Sequence, residues 1–264
     1  MMSDQDDSNV QYEIRDRVAY VTLNRPEHMN AINSSLRQGV IEAFVDASVN
    51  PDVWVVVLTG TGDRAFCAGG DLKDNNQHST AQKSYVMPMM GTERNISEVV
   101  LETYKPTIVA LNGLAYGGGL ELALACDIRI AADHVKLALP EAKLGMGANF
   151  GSVLLPRLLP RALALEMLYT AKPMLAQEAL RWGLLNRVVP KQDLASVTEQ
   201  FARELLHNAP LTLQRYKHMV VKGWEMPLSS ALRLDAGPNP YLSEDRKEGV
   251  RAFVEKRKPQ WQGR

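Results

Sequence analysis

Residues 107–126 read Thr107-Ile108-Val109-Ala110-Leu111-Asn112-Gly113-Leu114-Ala115-Tyr116-Gly117-Gly118-Gly119-Leu120-Glu121-Leu122-Ala123-Leu124-Ala125-Cys126. An apolar, β-branched run stops at Asn112-Gly113, as a buried strand bounded by turn residues does. A triple glycine follows, and a nearly all-apolar stretch with helical character occupies 120–126. Two further runs have the same form. Val53-Trp54-Val55-Val56-Val57-Leu58 stops at Thr59-Gly60, and Val135-Lys136-Leu137-Ala138-Leu139 stops at Pro140. A helical stretch spans Ser34–Val49. Strand, turn and helix in alternation imply parallel pairing and an α/β core. Tyr12-Glu13-Ile14 and Val18-Ala19-Tyr20-Val21-Thr22-Leu23 form a two-stranded lead-in to that core.

Beyond residue 195 the chain turns helical. Ser196-Val197-Thr198-Glu199 has the form of a capping box, and Val197, Phe201 and Leu205 then share one helical face. Further helices are expected at 211–224 and 243–257, the last with acids early and bases late, as the helix dipole prefers. Residues 73–91 are polar and irregular and read as a long loop. Residues 1–10 read as a disordered tail, 11–195 as the core and 196–264 as a helical region.

The 264 residues suit one large domain, with or without an appendage. Thirty basic and thirty acidic side chains cancel, which removes the global electrostatic case for nucleic acid or an anionic membrane. No apolar stretch approaches the ~20 residues that span a bilayer. The first residues do not resemble a signal or transit peptide. Two cysteines, Cys67 and Cys126, give neither a disulfide framework nor a metal spacing. The expectation is a cytoplasmic protein without a metal.

Chemistry is concentrated in two glycine-rich turns. The first is Ala65-Phe66-Cys67-Ala68-Gly69-Gly70-Asp71, and the second is Gly117-Gly118-Gly119-Leu120-Glu121, with Glu141 following in Leu139-Pro140-Glu141. Glycine lets a ligand approach main-chain N–H groups without meeting a Cβ. Two such turns can aim two donors at one oxygen while two carboxylates move protons. Glu121 reads either as a solvated helix residue or as a carboxylate at the head of a buried helix, where it needs a partner or a purpose. Glu141 follows a strand end, where parallel sheets place their ligand sites. Asp71 reads as a loop-shaping residue.

Other motifs carry less. Gly60-Thr61-Gly62-Asp63-Arg64-Ala65 fits the dinucleotide fingerprint, but no helix can begin there because Phe66-Cys67-Ala68-Gly69-Gly70 interrupts it. No phosphate-binding Gly-Lys-Ser/Thr follows any glycine cluster, and Ser152 lacks the flanking glycines of a nucleophile elbow. The five histidines form no zinc or nucleophile-activating pattern. Cys67, between Phe66 and Ala68, reads as a packed thiol.

In order along the chain, these segments resemble the signatures of the crotonase (enoyl-CoA hydratase/isomerase) superfamily. The matching stretches are Asn24-Arg25-Pro26 with Met29-Asn30-Ala31, the 65–72 loop, Asn112-Gly113 with residues 117–123, and Leu139-Pro140-Glu141-Ala142-Lys143-Leu144-Gly145. Residues 179–186 and 253–257 resemble later segments. The resemblance implies a spiral of strand–strand–helix units, then a helical trimerisation region, giving a homotrimer or a dimer of trimers. It implies an acyl-CoA substrate whose thioester oxygen is held by the N–H groups of Ala68 and Gly118. Coenzyme A enters as part of the substrate and no other cofactor is implied. CoA is expected along Arg64, Ala65, Phe66, Ala68, Gly69, Gly70, Asp71, Leu72 and Gly118, with Phe253 and Lys256 reaching the CoA of a neighbouring subunit. Lys256 reads equally as a solvated charge in Glu255-Lys256-Arg257-Lys258.

Glutamate at both 121 and 141 resembles the hydratase pattern, which implies reversible addition of water to the 2,3 double bond of an enoyl-CoA. Glu121 would activate the water and Glu141 would exchange the proton at C2. The same segments also resemble carnitinyl-CoA dehydratases, and other lyases or isomerases of the superfamily remain alternatives. A crotonase-like RNA-binding scaffold is a further alternative that the zero net charge does little to support. One departure concerns residues 146–152, Met146-Gly147-Ala148-Asn149-Phe150-Gly151-Ser152. Ala148 replaces a Pro and Ser152 a Gly in a stretch that shapes the acyl pocket, so Asn149 and Phe150 bear on substrate choice.

Overall fold

The structure, a computed structural model, describes residues 8–73 and 94–264. The expected tail up to residue 7 and nearly all of the 73–91 loop lie outside the described residues. Val10 already belongs to the first strand.

Two sheets organise the core. The larger has six strands: β1 (Val10–Arg15), β2 (Val18–Leu23), β3 (Val55–Gly60), β5 (Thr107–Leu111), β7 (Ile128–Ala132) and β10 (Arg187–Val189), hydrogen-bonded in that order. The smaller joins β4 (Ala65–Cys67), β6 (Leu114–Tyr116), β8 (Lys136–Ala138) and β9 (Met174–Leu175). β1 and β2 form the antiparallel lead-in, with Val10 opposite Leu23, and from β2 to β10 the large sheet is parallel. The chain steps from a large-sheet strand to a small-sheet strand and then into a helix, which makes the strand–strand–helix spiral.

Local sequence explains most elements. β5 is buried along its whole length, as a central parallel strand covered on both faces must be. Helix α1 (Ser34–Val49) starts where Asn33 accepts a hydrogen bond from the Leu36 N–H at 2.8 Å. Its buried positions Leu36, Val40, Ala43, Phe44 and Ala47 follow the helical period. The run at 135–139 is strand β8 of the small sheet, and the large-sheet neighbour of β5 is β7, a strand the sequence reading did not assign. Arg129 interrupts the apolar pattern of β7. It is tolerated in the interior because its Nε and Nη1 donate to the carbonyls of Leu184 and Cys126, both at 2.6 Å.

The helical part follows helix α2 (Ile96–Leu101), α3 (Gly118–Ala125), α4 (Gly151–Leu158), α5 (Arg161–Thr170) and α6 (Ala176–Arg181). It comprises α7 (Leu194–Leu206), α8 (Pro210–Gly223), α9 (Leu228–Ala231) and α10 (Glu244–Val254). The capping box expected at Ser196 is absent. The helix begins at Leu194, and the Ser196 hydroxyl donates backwards to the Asp193 carbonyl at 2.9 Å, so Ser196 lies inside the helix. The box occurs instead at α2, where Asn95 and Glu98 cap each other's backbone. Val197, Phe201 and Leu205 do pack on the core, and α7 lies across β3, β5 and β7. A buried lysine fixes α8 to the sheet. Lys217 Nζ stands 2.8 Å from Asp127 Oδ2 and donates to the Lys105 carbonyl at 3.0 Å.

Candidate active site

The glycine-rich turns lie back to back. Gly117 has φ +54°, a conformation that favours glycine, and introduces α3. A Cβ on Gly119 would stand 2.2 Å from the Cys67 carbonyl oxygen, so α3 can approach the first loop this closely only with glycine there. Cys67 is buried, and desolvation pushes its thiol up to about 12, as a packing residue.

Ala68 and Gly118 were the expected donors, and the hydrogen bonding corrects the first of them. The Ala68 N–H donates to the Met29 carbonyl at 3.0 Å and is therefore occupied. Ile32 donates to the Gly69 carbonyl at 2.8 Å and accepts from the Asp71 N–H at 2.9 Å. In extended backbone successive N–H groups alternate sides, so the intervening Gly70 N–H is turned away from Ile32. It has no acceptor among the described residues. Gly70 N is 3.9 Å from the place a Cβ on Gly118 would take, and Gly70 is exposed. Gly118 is the first residue of α3, where helix N–H groups have no intrahelical partner.

The two glutamates flank this point. Glu121, in the first turn of α3, directs its carboxylate at the next element, and its Oε1 accepts from the Gly151 N–H at 2.8 Å. Burial pushes its carboxyl upward, while the N–H groups of Gly151 and Phe150 oppose that shift. Glu141 opens a short 3-10 turn, Glu141–Leu144, and is buried. Its Oε1 is 3.1 Å from the place a Cβ on Gly117 would take, and its Oε2 is buried with no hydrogen-bond partner among the described residues. Burial raises its carboxyl, its own N–H opposes that, and the charge of Glu121 raises it further. Both carboxyls thus adjoin the Gly117 turn with elevated proton affinity, but only Glu121 has two N–H groups favouring its charged form. Main-chain N–H groups of a neighbouring segment thus favour the charged form of Glu121, whereas burial and the nearby Glu121 charge favour the protonated form of Glu141.

The remaining expected contacts divide. Asp71 accepts from Arg25 Nη1 and Nη2, both at 3.2 Å, and this half-buried pair ties the 25–31 segment to the loop. Ala65 and Phe66 are buried, so their side chains belong to the core and only their backbone is available to a ligand. Arg64, Gly70 and Leu72 are exposed, while Ala68 is half-buried and Gly69 is buried. Phe253 and Lys256 are exposed at the end of α10, where Phe253 borders a groove with Tyr216, Tyr241 and Trp261 and no residue of the 65–72 loop. The sequence reading did not foresee the roles of Asn30 and Asn112. Asn30 Nδ2 donates to the carbonyls of Thr61 and Ala65, both at 3.0 Å. Asn112 Nδ2 donates to Gly62 at 2.7 Å, so two amides hold the turn that carries the loop. The place of Asn112 between the end of β5 and Gly113 was an available signal, whereas Asn30, between Met29 and Ala31, offered none of that kind. Among the described residues, no group of three or more His, Cys, Asp or Glu could hold a metal ion, and no helix is long and apolar enough to cross a membrane.

Comparison with known proteins places the chain among relatives of one family. The sequence pattern of the family described as enoyl-CoA hydratase/isomerase matches residues 13–264. An (E)-benzylidenesuccinyl-CoA hydratase of Thauera aromatica is 39% identical over 260 residues, covering 96% of this chain and 99% of the relative. A carnitinyl-CoA dehydratase of Salmonella agona is 39% identical over 251 residues, covering 92% of this chain and 94% of the relative. Among solved structures, an enoyl-CoA hydratase from Mycobacterium tuberculosis superposes with a TM-score of 0.87 at 30% identity, covering 98% of this chain and 100% of the other. A carnitinyl-CoA hydratase from Mycobacterium avium does so with a TM-score of 0.74 at 37% identity, again covering 98% and 100%.

Proposed function

The chain belongs to the enoyl-CoA hydratase/isomerase family, and within it we propose that this protein adds water reversibly to the 2,3 double bond of an enoyl-CoA. The observation that carries this reading is the pair Glu121 and Glu141, half-buried and buried respectively beside the Gly117 turn, both with carboxyls that burial raises. A single acid–base group would serve an isomerisation, whereas addition of water needs one group to take a proton and another to give one.

The thioester oxygen accepts from the N–H groups of Gly118 and Gly70. Glu121 takes a proton from water as its oxygen bonds to C3. The π electrons move toward the thioester, whose oxygen becomes an enolate oxyanion, and the Glu141 carboxyl delivers its proton to C2. The same steps reversed dehydrate a 3-hydroxyacyl-CoA, so the direction follows the substrate supplied. Each N–H donor aimed at the oxyanion contributes about 3 kcal/mol to such a transition state.

Coenzyme A lies along the backbone of the 65–72 loop, with the exposed Arg64 beside it. The assembly in this reading is a homotrimer or dimer of trimers in the cytoplasm, in which Phe253 and Lys256 reach a neighbouring subunit's CoA. Leu242 and Phe253, 83% and 85% exposed on one chain, support burial against another copy. The test is loss of the enoyl chromophore of crotonyl-CoA with wild type, Glu121→Gln and Glu141→Gln. Near wild-type turnover in both variants would reject the assignment.

A further inference from the structure

Behind the segment that holds Glu121 lies a cavity of about 700 Å³ between the end of α3, α4 and the end of α8. Its apolar wall includes Leu124, Phe150, Val153, Leu154, Leu158 and Trp224. Apart from the exposed Lys222, the charged groups on its border have partners. Arg157 pairs with Glu225, Glu102 with Arg94, and Asp127 with Lys217. Glu98 caps the Asn95 N–H, Arg129 binds carbonyls, and Lys222 is exposed. Such a space suits an uncharged hydrocarbon chain and, among the described residues, offers no unpaired buried charge to a quaternary ammonium or a second carboxylate.

Phe150 is the link between this cavity and the chemistry. It is 6% exposed and part of the cavity wall, yet its backbone N–H and that of Gly151 face the Glu121 carboxylate. One residue thus lines the cavity and reaches the Glu121 carboxylate with its main chain. We propose that Phe150 is the acyl-length determinant: its ring partitions the apolar cavity from the two carboxylates, so that the protein takes short, uncharged enoyl groups. This inference rests on the hydratase reading given above. The residue acts on substrate fit by volume, while its N–H contribution to Glu121 is common to any non-proline residue at the position.

The test compares wild type, Phe150→Ala and Phe150→Leu on trans-2-enoyl-CoAs from about four to about twelve carbons, where each newly buried methylene is worth about fourfold in kcat/KM. The expected result is a wild-type preference for the short end. Phe150→Ala should raise the long-to-short ratio at least about tenfold, and Phe150→Leu should do so less. Saturated decanoyl-CoA, assayed for direct binding, should bind more tightly to Phe150→Ala than to wild type. A length profile that keeps its shape in both variants, with unchanged decanoyl-CoA binding, overturns the inference while leaving the hydratase reading intact. If no enoyl-CoA is hydrated by wild type, the hydratase reading fails, and decanoyl-CoA binding alone still decides whether Phe150 closes the cavity. Phe150→Leu keeps the test decisive if the alanine variant does not fold.

Discussion

The Gly151 N–H donates to Glu121 Oε1 at 2.8 Å, across thirty residues of sequence, and so fixes the direction of one carboxylate, while its neighbour Glu141 keeps an oxygen with no partner among the described residues. The two groups differ in what they have been given. Glu121 is held by main-chain donors, and Glu141 is held mainly by exclusion of water.

Conservative amide variants should separate chemistry from shape. On the proposed hydratase mechanism, Glu121→Gln retains an oxygen for the Gly151 N–H but loses the base, and Glu141→Gln loses the exchangeable proton. Each should lower kcat on crotonyl-CoA by about 10²–10⁴-fold with a much smaller change in KM, as measured in steady-state kinetics.

The same variants make a prediction about stability and pH. Burial raises both folded-state carboxyls above their ordinary value of 4.5, so the folded chain binds these protons more tightly than the unfolded chain. That contribution is fully present below pH 4.5 and is lost as pH rises through the folded values. The amide variants should therefore melt above wild type at pH 8, with the gap shrinking toward pH 4. Thermal melts across that range would show the opposite trend if the carboxylates were stabilised by hidden cations.

Removing the N–H at position 70 tests the corrected donor. Gly70→Pro eliminates that N–H, and the Gly70 φ is not in the positive region that proline cannot adopt. A fall of about 10²–10³ in kcat with retained secondary structure by circular dichroism is expected. Wild-type kcat in that variant would return the role to another donor.

Lys217 anchors α8 through Asp127, and its side chain is 6% exposed against 28% for the carboxylate. Lys217→Met leaves Asp127 partly buried without its cation and should cost about 2–4 kcal/mol in urea unfolding, the lower part of that range reflecting solvent at Asp127. Lys217→Met combined with Asp127→Asn should recover part of the loss, giving a non-additive double-mutant cycle.

Much of this molecule is legible in its sequence. The apolar runs before Gly60 and Asn112, the period of α1, the two glycine-rich turns and the pair Glu121 and Glu141 are local patterns, set by side chains acting on their own backbone. What tertiary structure decided was which groups those patterns leave free. Ala68 and Gly70 stand two residues apart in one loop, and the Met29 carbonyl, from a segment that precedes α1, occupies the first N–H and not the second. Arg129 reads as a break in a strand until the carbonyls of Leu184 and Cys126 are brought around it. A hydrogen bond to a distant segment leaves no periodic trace in sequence, because its partner is chosen by how the chain returns on itself. The sequence therefore singled out the loop, and the returning segment at Met29 determined which amide in it is left without an acceptor among the described residues.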